Sequence, residues 1–274
     1  MKRAKRKNII ILGIIGVLIS LLWIYPFYLV FINSIKTKGE IFRNTLNWPE
    51  DLTLENYPKA FTELDFVQSF SNSVFITVIS ILVLVFCSSM AAYALSRNKS
   101  KLSSVIYFSL AISMLIPFQS IMIPLISIFG KVDMLNRTGL IIMYLGLGSA
   151  MAIFLYYGAL RGISTSLDEA AIIDGANRFQ IFRYIIFPML KPTTVTVIVL
   201  NAIWFWNDYL LPSLVINKEG MYTIPLKTFY FFGEYSKQWH LALAALIIAI
   251  IPIIIVYMFL QKYIIKGISD GATK

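Results

Sequence analysis

Long apolar stretches alternate along the chain with shorter polar segments, and the apolar stretches have the length of membrane-crossing helices. A helix needs about 20 apolar residues to cross the hydrocarbon core of a bilayer. Six segments reach that length, so the pattern predicts an all-α membrane protein with six transmembrane helices. Because no internal repeat or flexible linker interrupts the chain, we expect one membrane domain over residues 1–274. The predicted spans are residues 9–32, 72–95, 105–129, 139–160, 193–216 and 241–265.

The first apolar stretch follows the basic segment MKRAKRK and therefore has to be distinguished from a signal peptide. A signal sequence has an apolar core of about 7–15 residues, followed by a cleavage site of small residues. The stretch at residues 9–32 is longer, and no such site follows it. We expect it to be retained as the first transmembrane helix.

The composition agrees with a membrane protein, since 58% of the residues are hydrophobic and 14% are charged. A soluble domain has about 25% charged residues. The net charge of +10 is interpreted through its location, because cytoplasmic loops carry an excess of Lys and Arg. With six spans both termini lie on one side, and that side holds 15 of the 24 Lys and Arg residues. The bias predicts cytoplasmic termini and explains the charge without a nucleic-acid partner.

One polar segment is amphipathic: LDEAAIIDGANRFQIFRYIIFPMLKP, which lies in the predicted cytoplasmic loop at residues 161–192. Ser166 and Glu169 have the spacing of a capping box, which predicts that a helix begins there. Gly175 lies where a left-handed residue would end that helix.

A second short helix is predicted directly after this glycine. Asn177 would be its N-cap and Gln180 its third residue, and the helix would run towards Pro188. The segment FPMLKP would then form the joint into the next span, since a residue before proline disfavours helix. The physical properties of the loop fit two interpretations equally well. It is either a connector that lies at the membrane interface or a surface on which a partner docks.

Chemistry-bearing residues are sparse, which excludes several classes of function. The chain has one cysteine, Cys87, and one histidine, His240, so neither a disulfide framework nor a metal site is predicted. The segment FGKVD lacks the earlier glycine and the Ser or Thr of a phosphate-binding loop. No catalytic constellation is present, so we expect a protein that is not an enzyme and that binds no cofactor itself.

Polar and aromatic residues are concentrated in the outer half of the fifth predicted span. Asp208 is the acid within a span, where ionisable groups are costly and usually functional. Aromatic rings with amide and carboxylate groups suit sugars, because rings stack on C–H faces and polar groups bind hydroxyls. An interfacial aromatic belt explains the same residues equally well. The candidate residues of a solute path are Asn201, Trp204, Asn207, Asp208 and Tyr209.

The amphipathic loop resembles the EAA motif of the membrane subunits of bacterial ABC importers. The motif has E-A-A, then D-G-A three residues later, then an aromatic-rich helix and a proline, here Pro188. Phe187 departs from the leucine that usually precedes this proline. In that family the loop is the coupling helix, which docks in a cleft of the cytoplasmic ATPase. The resemblance implies a type I importer permease whose coupling residues are Glu169, Ala170, Ala171, Asp174, Gly175, Ala176, Asn177, Arg178 and Phe179.

Further segments are similar to the carbohydrate-uptake branch of that family, in particular its shorter, MalG-like subunit. These segments include MLIPFQSIMIPLISIFGKVDMLNRTGLI, WFWNDYLLPSLVI, YTIPL and QKYIIKGISDGATK. The resemblance is to the multiple-sugar, raffinose and maltodextrin types. The maltose-type subunit is longer, so details of its outer loops transfer poorly. By position, the outer loop at residues 217–240 corresponds to one that reaches into the binding protein, and its candidate contacts are Tyr222, Pro225, Phe229, Tyr230 and Tyr235.

The resemblance also implies the partners and the place of action. They would be a second, MalF-like permease, two cytoplasmic ATPase subunits that use ATP and Mg²⁺, and an extracytoplasmic sugar-binding protein, in the membrane of a bacterial cell. Two rival functions remain. An ABC importer for a non-sugar solute would carry a related loop, and an ion-driven carrier would need buried relays of which only Asp208 is present.

Overall fold

The structure is a computed structural model that describes the backbone of residues 2–231 and 238–272 and the side chains of residues 11–230 and 238–258. Every regular element within these residues is a helix, as the apolar pattern predicts. The helices are α1 (Lys2–Ser34), α2 (Lys38–Arg43), α3 (Asn56–Glu63), α4 (Phe66–Arg97), α5 (Lys101–Ser113), α6 (Phe118–Lys131), α7 (Arg137–Leu160), α8 (Ser166–Ile173), α9 (Arg178–Ile181), a π-helical segment (Phe182–Ile186), α10 (Phe187–Met189), α11 (Lys191–Asn207), α12 (Leu210–Val215), α13 (Ile224–Phe231) and α14 (Trp239–Ala272).

Four of these helices are long and apolar enough to cross a membrane by themselves, namely α1, α4, α7 and α14. Two bent helix pairs, α5 with α6 and α9–α10 with α11, bring the number to six when each pair is one span. The structure therefore agrees with the predicted all-α fold of six transmembrane segments.

The third predicted span, residues 105–129, consists of two helices in the structure, with a bend larger than a kink at a proline within one helix. α5 and α6 meet at an angle of 109°. The break lies at Met114–Pro117, and Pro117 itself has an extended backbone before the first residue of α6. Proline has no N–H to continue the helical ladder, and it disfavours helix at the preceding residue, Ile116.

The fifth predicted span, residues 193–216, is also interrupted. α11 ends at Asn207, Asp208 adopts an extended conformation, and the short α12 follows from Leu210. The Asp208 carboxylate bridges the interruption, since its Oδ1 accepts hydrogen bonds from the backbone N–H groups of Leu210 at 3.0 Å and Leu211 at 3.4 Å. The backbone donors at the start of α12 are thereby satisfied, which allows the chain to break at this depth.

The chain divides into two compact units. The first comprises the residues up to Phe66 together with Lys227–Pro252, and the second comprises Val67–Leu226 and the residues from Ile253 onwards. Beside this division, the single membrane domain over residues 1–274 stays a prediction. In α1, every residue from position 11 to position 28 is exposed within the chain.

Hydrogen bonds organise the part of the first unit around the C-terminal end of α1. The Asn56 side chain donates to the carbonyls of Ser34 and Lys36, both at 2.8 Å. Lys36 is fully buried, and its ammonium group donates to the carbonyl of Asn44 at 2.9 Å. A small apolar cluster beside these contacts contains Ala60, Leu64, Ala244 and Ala245.

The second unit contains the larger core, and the helices around it hold the amphipathic loop in place. α4, α7, α11 and α12 supply most of its buried side chains, and α9 with the π-helical segment adds Ile181, Phe182 and Ile186. The loop is therefore continuous with the core at one end of α4. The largest fully buried side chains of this unit are Ile76, Leu84, Leu140, Met143, Tyr144, Tyr156, Leu160, Ile181 and Ile186.

Candidate functional site at the amphipathic loop

The amphipathic loop forms two short helices joined at Gly175, as its sequence predicts. Gly175 has a φ of +85°, and its N–H donates to the carbonyl of Ile172 at 3.0 Å. The next N–H, of Ala176, donates to the carbonyl of Ala171 at 2.9 Å. These two bonds form a Schellman motif, which satisfies the last carbonyls of α8 and requires a left-handed residue.

The two helix starts differ in how well the sequence predicted them. The capping box at Asn177 is confirmed, because its side chain accepts from the Gln180 N–H at 2.9 Å and Gln180 accepts from the Asn177 N–H at 2.8 Å. The prediction of a capping box at Ser166 and Glu169 is wrong. Ser166 is the first residue of α8, and no side chain caps that helix. The Ser166 hydroxyl instead pairs with the Ser164 hydroxyl at 2.8 Å, a local bond that competes with capping.

The second helix passes through Pro188 and bends two residues later. A π-helical segment precedes the proline, and the Phe187 N–H donates to the Phe182 carbonyl within it. The wider turn changes the register of the ladder just before the residue that cannot donate. α11 then begins after Leu190, at an angle of 76° to the preceding helix. The predicted joint within FPMLKP is therefore present, and it lies at Leu190.

The predicted coupling residues divide into an exposed and a buried set. Glu169, Ala170, Asp174, Gly175, Asn177, Arg178 and Phe179 are exposed, Ala176 is half-buried, and Ala171 packs into the core of the second unit. Large apolar side chains accompany the exposed set: Ile173 is 86% exposed and Phe179 is 53% exposed, and Ile172 and Tyr184 are exposed as well. Exposed apolar side chains of this size, which we call the exposed apolar patch, are typical of an interaction surface.

Asp168 is the residue of this loop that the sequence analysis missed. Its side chain is buried, although it lies one position before the exposed Glu169. The Arg97 Nε donates to Asp168 Oδ2 at 3.1 Å, and Arg97 Nη2 lies 3.0 Å from the same oxygen. The Tyr93 hydroxyl donates to Asp168 Oδ1. Tyr93, Arg97 and Asp168, which we call the α4–α8 latch, thus join the end of α4 to the first turn of α8.

A groove of about 880 Å³ lies between the loop and the end of α4. The latch residues form part of its wall, and the predicted coupling residues Glu169, Arg178 and Phe179 form another part. Lys99 adds a further cation. The groove therefore combines charged and apolar groups next to the exposed apolar patch, which suits a protein partner better than a small apolar ligand.

The candidate path residues on α11 lie on two different faces of the helix. Asn201 is 3% exposed, and a Cβ added to Gly148 of α7 would lie 3.1 Å from its side-chain oxygen. Asp208 Oδ2 accepts from the Tyr144 hydroxyl at 3.0 Å, and Thr194 accepts from the Tyr156 hydroxyl at 3.1 Å. Thr194, Asn201 and Asp208 therefore form a polar row that faces α7. Thr194 and Asp208 are hydrogen-bonded to tyrosines of α7, and Asn201 lies close to Gly148.

Trp204, Asn207 and Tyr209 are exposed within the chain. The Trp204 ring meets the Tyr144 ring edge-on at 6.2 Å, so it borders the polar row without joining it. The Asn207 side chain donates to the Ile203 carbonyl at 2.7 Å, which leaves its oxygen available to a ligand. A solute path at the five candidate residues, Asn201, Trp204, Asn207, Asp208 and Tyr209, stays a prediction. Among them, Asn201 is buried between packed helices.

The outer loop is held by side chains of α4 and α7. The carbonyl of Gly220 accepts from Gln68 at 3.0 Å, Asn72 at 3.0 Å and Arg137 at 3.4 Å. Asn72 also donates to the carbonyl of Tyr222 at 2.9 Å. These bonds fix the start of the predicted contact loop on the second unit.

The candidate contacts of that loop are distributed along α13 and its approach. Tyr222 and Pro225 are half-buried, whereas Phe229 and Tyr230 are exposed and their rings lie 6.3 Å apart. Tyr235 lies outside the described residues. Contact with a binding protein stays a prediction for all five.

The chain is similar to known membrane proteins. Residues 84–270 match the family described as binding-protein-dependent transport system inner membrane component. The chain is 55% identical over 264 residues to the probable starch degradation products transport system permease protein AmyC of Thermoanaerobacterium thermosulfurigenes, covering 96% of both chains. It is 39% identical to the multiple sugar-binding transport system permease protein MsmG of Streptococcus mutans, covering 97% of this chain and 95% of that one. It is 33% identical to the melibiose/raffinose/stachyose import permease protein MelC of Bacillus subtilis, covering 100% of both.

Solved structures agree with these relatives. A chain in the crystal structure of a bacterial ABC transporter involved in the import of the acidic polysaccharide alginate is 28% identical, with a TM-score of 0.80, covering 95% of this chain and 98% of that one. A chain in the alginate transporter complex with a pentasaccharide-bound periplasmic protein has a TM-score of 0.71 at 16% identity, covering 94% of both, which is a likeness of fold.

Proposed function

The chain belongs to the family of binding-protein-dependent transport system inner membrane components, and we propose that it is the permease for short oligosaccharides, with those released from starch foremost. Membership makes it a non-catalytic, multi-pass membrane subunit of an ABC importer. ATP is therefore hydrolysed by other chains of the system.

The proposed cargo rests on the relatives. Three of them are named for the transport of starch degradation products, of multiple sugars, and of melibiose, raffinose and stachyose. The highest of these identities, 55% over nearly the whole chain, belongs to the starch-product permease, which favours α-linked glucose oligosaccharides. The exposed indole and amide of Trp204 and Asn207 are of the kind that binds sugars, and the proposed path would use them together with Asp208 and Tyr209.

The proposed assembly contains a second permease, two ATPase subunits that use ATP and Mg²⁺, and an extracytoplasmic sugar-binding protein. The two permeases would each form half of the path. Both termini and the amphipathic loop would be cytoplasmic, on the side with 15 of the 24 Lys and Arg residues. The outer loop fixed at Gly220 would then face the binding protein.

We propose that α8 is the coupling helix, and one observation supports this most directly. Ile172, Ile173 and Phe179 expose large apolar side chains on a loop that is anchored to the second unit through the buried Asp168 and Ala171. Exposed groups of this size are expected to be covered by a partner. ATP-driven closure of the ATPase dimer would be transmitted through residues Glu169 to Gly175 and would favour the outward-open path.

The test is affinity purification of the tagged chain from its native membrane in a mild detergent, followed by uptake assays in liposomes. We expect an ATPase and a second permease to co-purify, and the complex with its binding protein to accumulate labelled maltotriose when ATP is supplied. Recovery of the chain alone would contradict the importer. Uptake of an amino acid or a peptide in place of the sugar would contradict the proposed cargo.

Variants of the loop test the docking surface. Ile173→Asp, Glu169→Lys and Gly175→Pro should each weaken association with the ATPase and abolish uptake. Leu52→Asp is the control, because Leu52 is also a large exposed apolar side chain but lies in the segment between α2 and α3. Normal uptake by Glu169→Lys and Gly175→Pro would refute the coupling function of the loop.

A further inference from the structure

The coupling helix α8 is attached to the membrane helices by the chain itself and by side-chain bonds. The chain leads back to α7 through residues 161–165, and forward through α9, the π-helical segment and α10 into α11. The side-chain attachment is the α4–α8 latch, which joins residues separated by 71 positions in the chain. A displacement of α8 can therefore reach α7 and α11 along the chain, and it can reach α4 through the latch.

The route towards α11 is not one continuous helix. It contains a π-helical segment of five residues and a bend of 76° at Leu190. π-helical turns and sharp bends interrupt the regular hydrogen-bond ladder of a helix.

The α4–α8 latch is stiff, because directional bonds occupy both oxygens of one carboxylate. Oδ2 of Asp168 receives the Arg97 guanidinium, and Oδ1 receives the Tyr93 hydroxyl. Arg97 Nη1 also donates to the carbonyl of Ile163 at 3.3 Å, which fixes the chain just before α8. Charge-assisted bonds to a planar guanidinium resist both sliding and rotation, unlike apolar packing.

The surroundings of the α4–α8 latch support this stiffness. The Arg97 guanidinium lies 5.7 Å from the centre of the Tyr93 ring, and that ring lies 5.6 Å from the Phe182 ring. Ala171 and Phe182 are buried beside it. The side chains of Arg97 and Asp168 are only 17% and 12% exposed, so water weakens their contact little.

We propose that Asp168 is a positioning residue through which movement of the coupling helix is delivered to α4, so that α4 moves together with α8. This inference rests on the proposed function, and it identifies the transmembrane helix that receives the motion. Loss of the α4–α8 latch should leave ATP hydrolysis in place while separating it from transport.

The test compares variants of the intact importer in liposomes, with sugar moved per ATP hydrolysed as the readout. Asp168→Asn and Arg97→Gln should each raise the ATP consumed per sugar at least fivefold, while the yield of complex stays within twofold of wild type. The double variant should be no worse than either single variant, since both remove the same interaction. A merely structural role would lower complex yield, hydrolysis and uptake in proportion.

Glu55→Gln is the matched control. It removes the exposed ion pair between Glu55 and Lys59, whose charged atoms are 2.8 Å apart. This pair lies outside the amphipathic loop. Its ATP consumption per sugar should equal that of wild type. Where Asp168→Asn fails to assemble, Tyr93→Phe decides, because it removes one bond to Asp168 and keeps the ion pair; about a twofold rise is expected.

Two results separate this inference from the function on which it rests. An unchanged ratio of ATP to sugar in every assembled variant would overturn the role of the α4–α8 latch, while sugar uptake by wild type would leave the importer intact. Absence of sugar uptake by the wild-type complex would instead overturn the proposed function.

Discussion

Gly175 occupies a backbone conformation that the residues before and after it in the loop do not share. Its φ of +85° allows the Schellman motif that ends α8 and turns the chain into α9. A Cβ added here would meet no atom within 4 Å, so the requirement for glycine is one of torsion and not of space. The geometry of the loop thus depends on one residue that could be replaced without a steric clash.

Gly175→Ala should therefore destabilise the turn by about 1 kcal/mol, the usual cost of a left-handed alanine. We expect lower uptake with the complex still assembled, measured as initial rates of labelled sugar entry. Gly175→Asn should be milder, because asparagine tolerates the left-handed region.

Gly158→Ala is the control for this change. Gly158 also has open space around a new Cβ, but it lies inside α7 with ordinary helical torsions. That variant should keep full uptake. Equal losses from the two substitutions would show that backbone torsion is not what Gly175 contributes.

Residues of the loop whose function is local were predictable from the sequence, and those with distant partners were not. Gly175 and Asn177 act through backbone groups within four positions, and both were identified by spacing. Asp168 was not identified as a functional residue, because nothing in the neighbouring sequence indicates its partner Arg97. The one available signal was that Arg97 lies at the end of a predicted span on the same side of the membrane.

At the scale of elements, polar side chains at intervals of seven residues, on α11 and at its C-terminal end, lie towards α7. Thr194, Asn201 and Asp208 face Tyr156, Gly148 and Tyr144 respectively. Small residues let helices approach closely in a membrane, and polar contacts then stabilise them. A spacing of seven indicates one face of a helix, but periodicity does not state whether such a face meets a solute or another helix.

Gly148→Ala should test this packing. The new methyl group would lie 3.1 Å from Asn201 Oδ1 and 3.3 Å from Leu84 Cδ1 and Cδ2, so neighbours on two helices have to move. Overpacking of this kind costs about 1–3 kcal/mol. We expect a lower melting temperature of the purified complex, followed by intrinsic fluorescence.

Gly146→Ala is the comparison within the same helix. A Cβ at Gly146 meets nothing within 4 Å, and replacing a helical glycine lowers the entropy of the unfolded chain. Its melting temperature should equal or exceed that of wild type. If Gly148→Ala melts at the same temperature as Gly146→Ala, α7 and α11 are not packed through this glycine.

The break of the third span shows that a pattern of apolar residues does not predict how strongly a span is bent. Residues 105–129 are mainly apolar, so the pattern predicts one span, and a proline within a span indicates a kink. The observed 109° between α5 and α6 depends on what packs around the two pieces, which composition does not encode.

At the scale of the whole molecule, the distribution of charge makes a prediction about orientation. Lys99 and Glu219 lie in exposed loops on opposite predicted sides. With Cys87 replaced by alanine, a membrane-impermeant maleimide should label Glu219→Cys in right-side-out vesicles and spare Lys99→Cys until the vesicles are opened. The reverse pattern would place the amphipathic loop outside and remove its access to an ATPase.

The α4–α8 latch also has a consequence for how the protein is made. Arg97 leaves the ribosome 71 residues before Asp168. At roughly 5–20 residues per second, that interval lasts on the order of 4–14 seconds. During this time its charge is unpaired at the end of a newly inserted helix, where positive residues hold the preceding span in its orientation. With Arg97 on the predicted cytoplasmic side, we expect this arginine to act first as a topology signal during biogenesis and then, once its carboxylate has been synthesised, as part of the finished transporter.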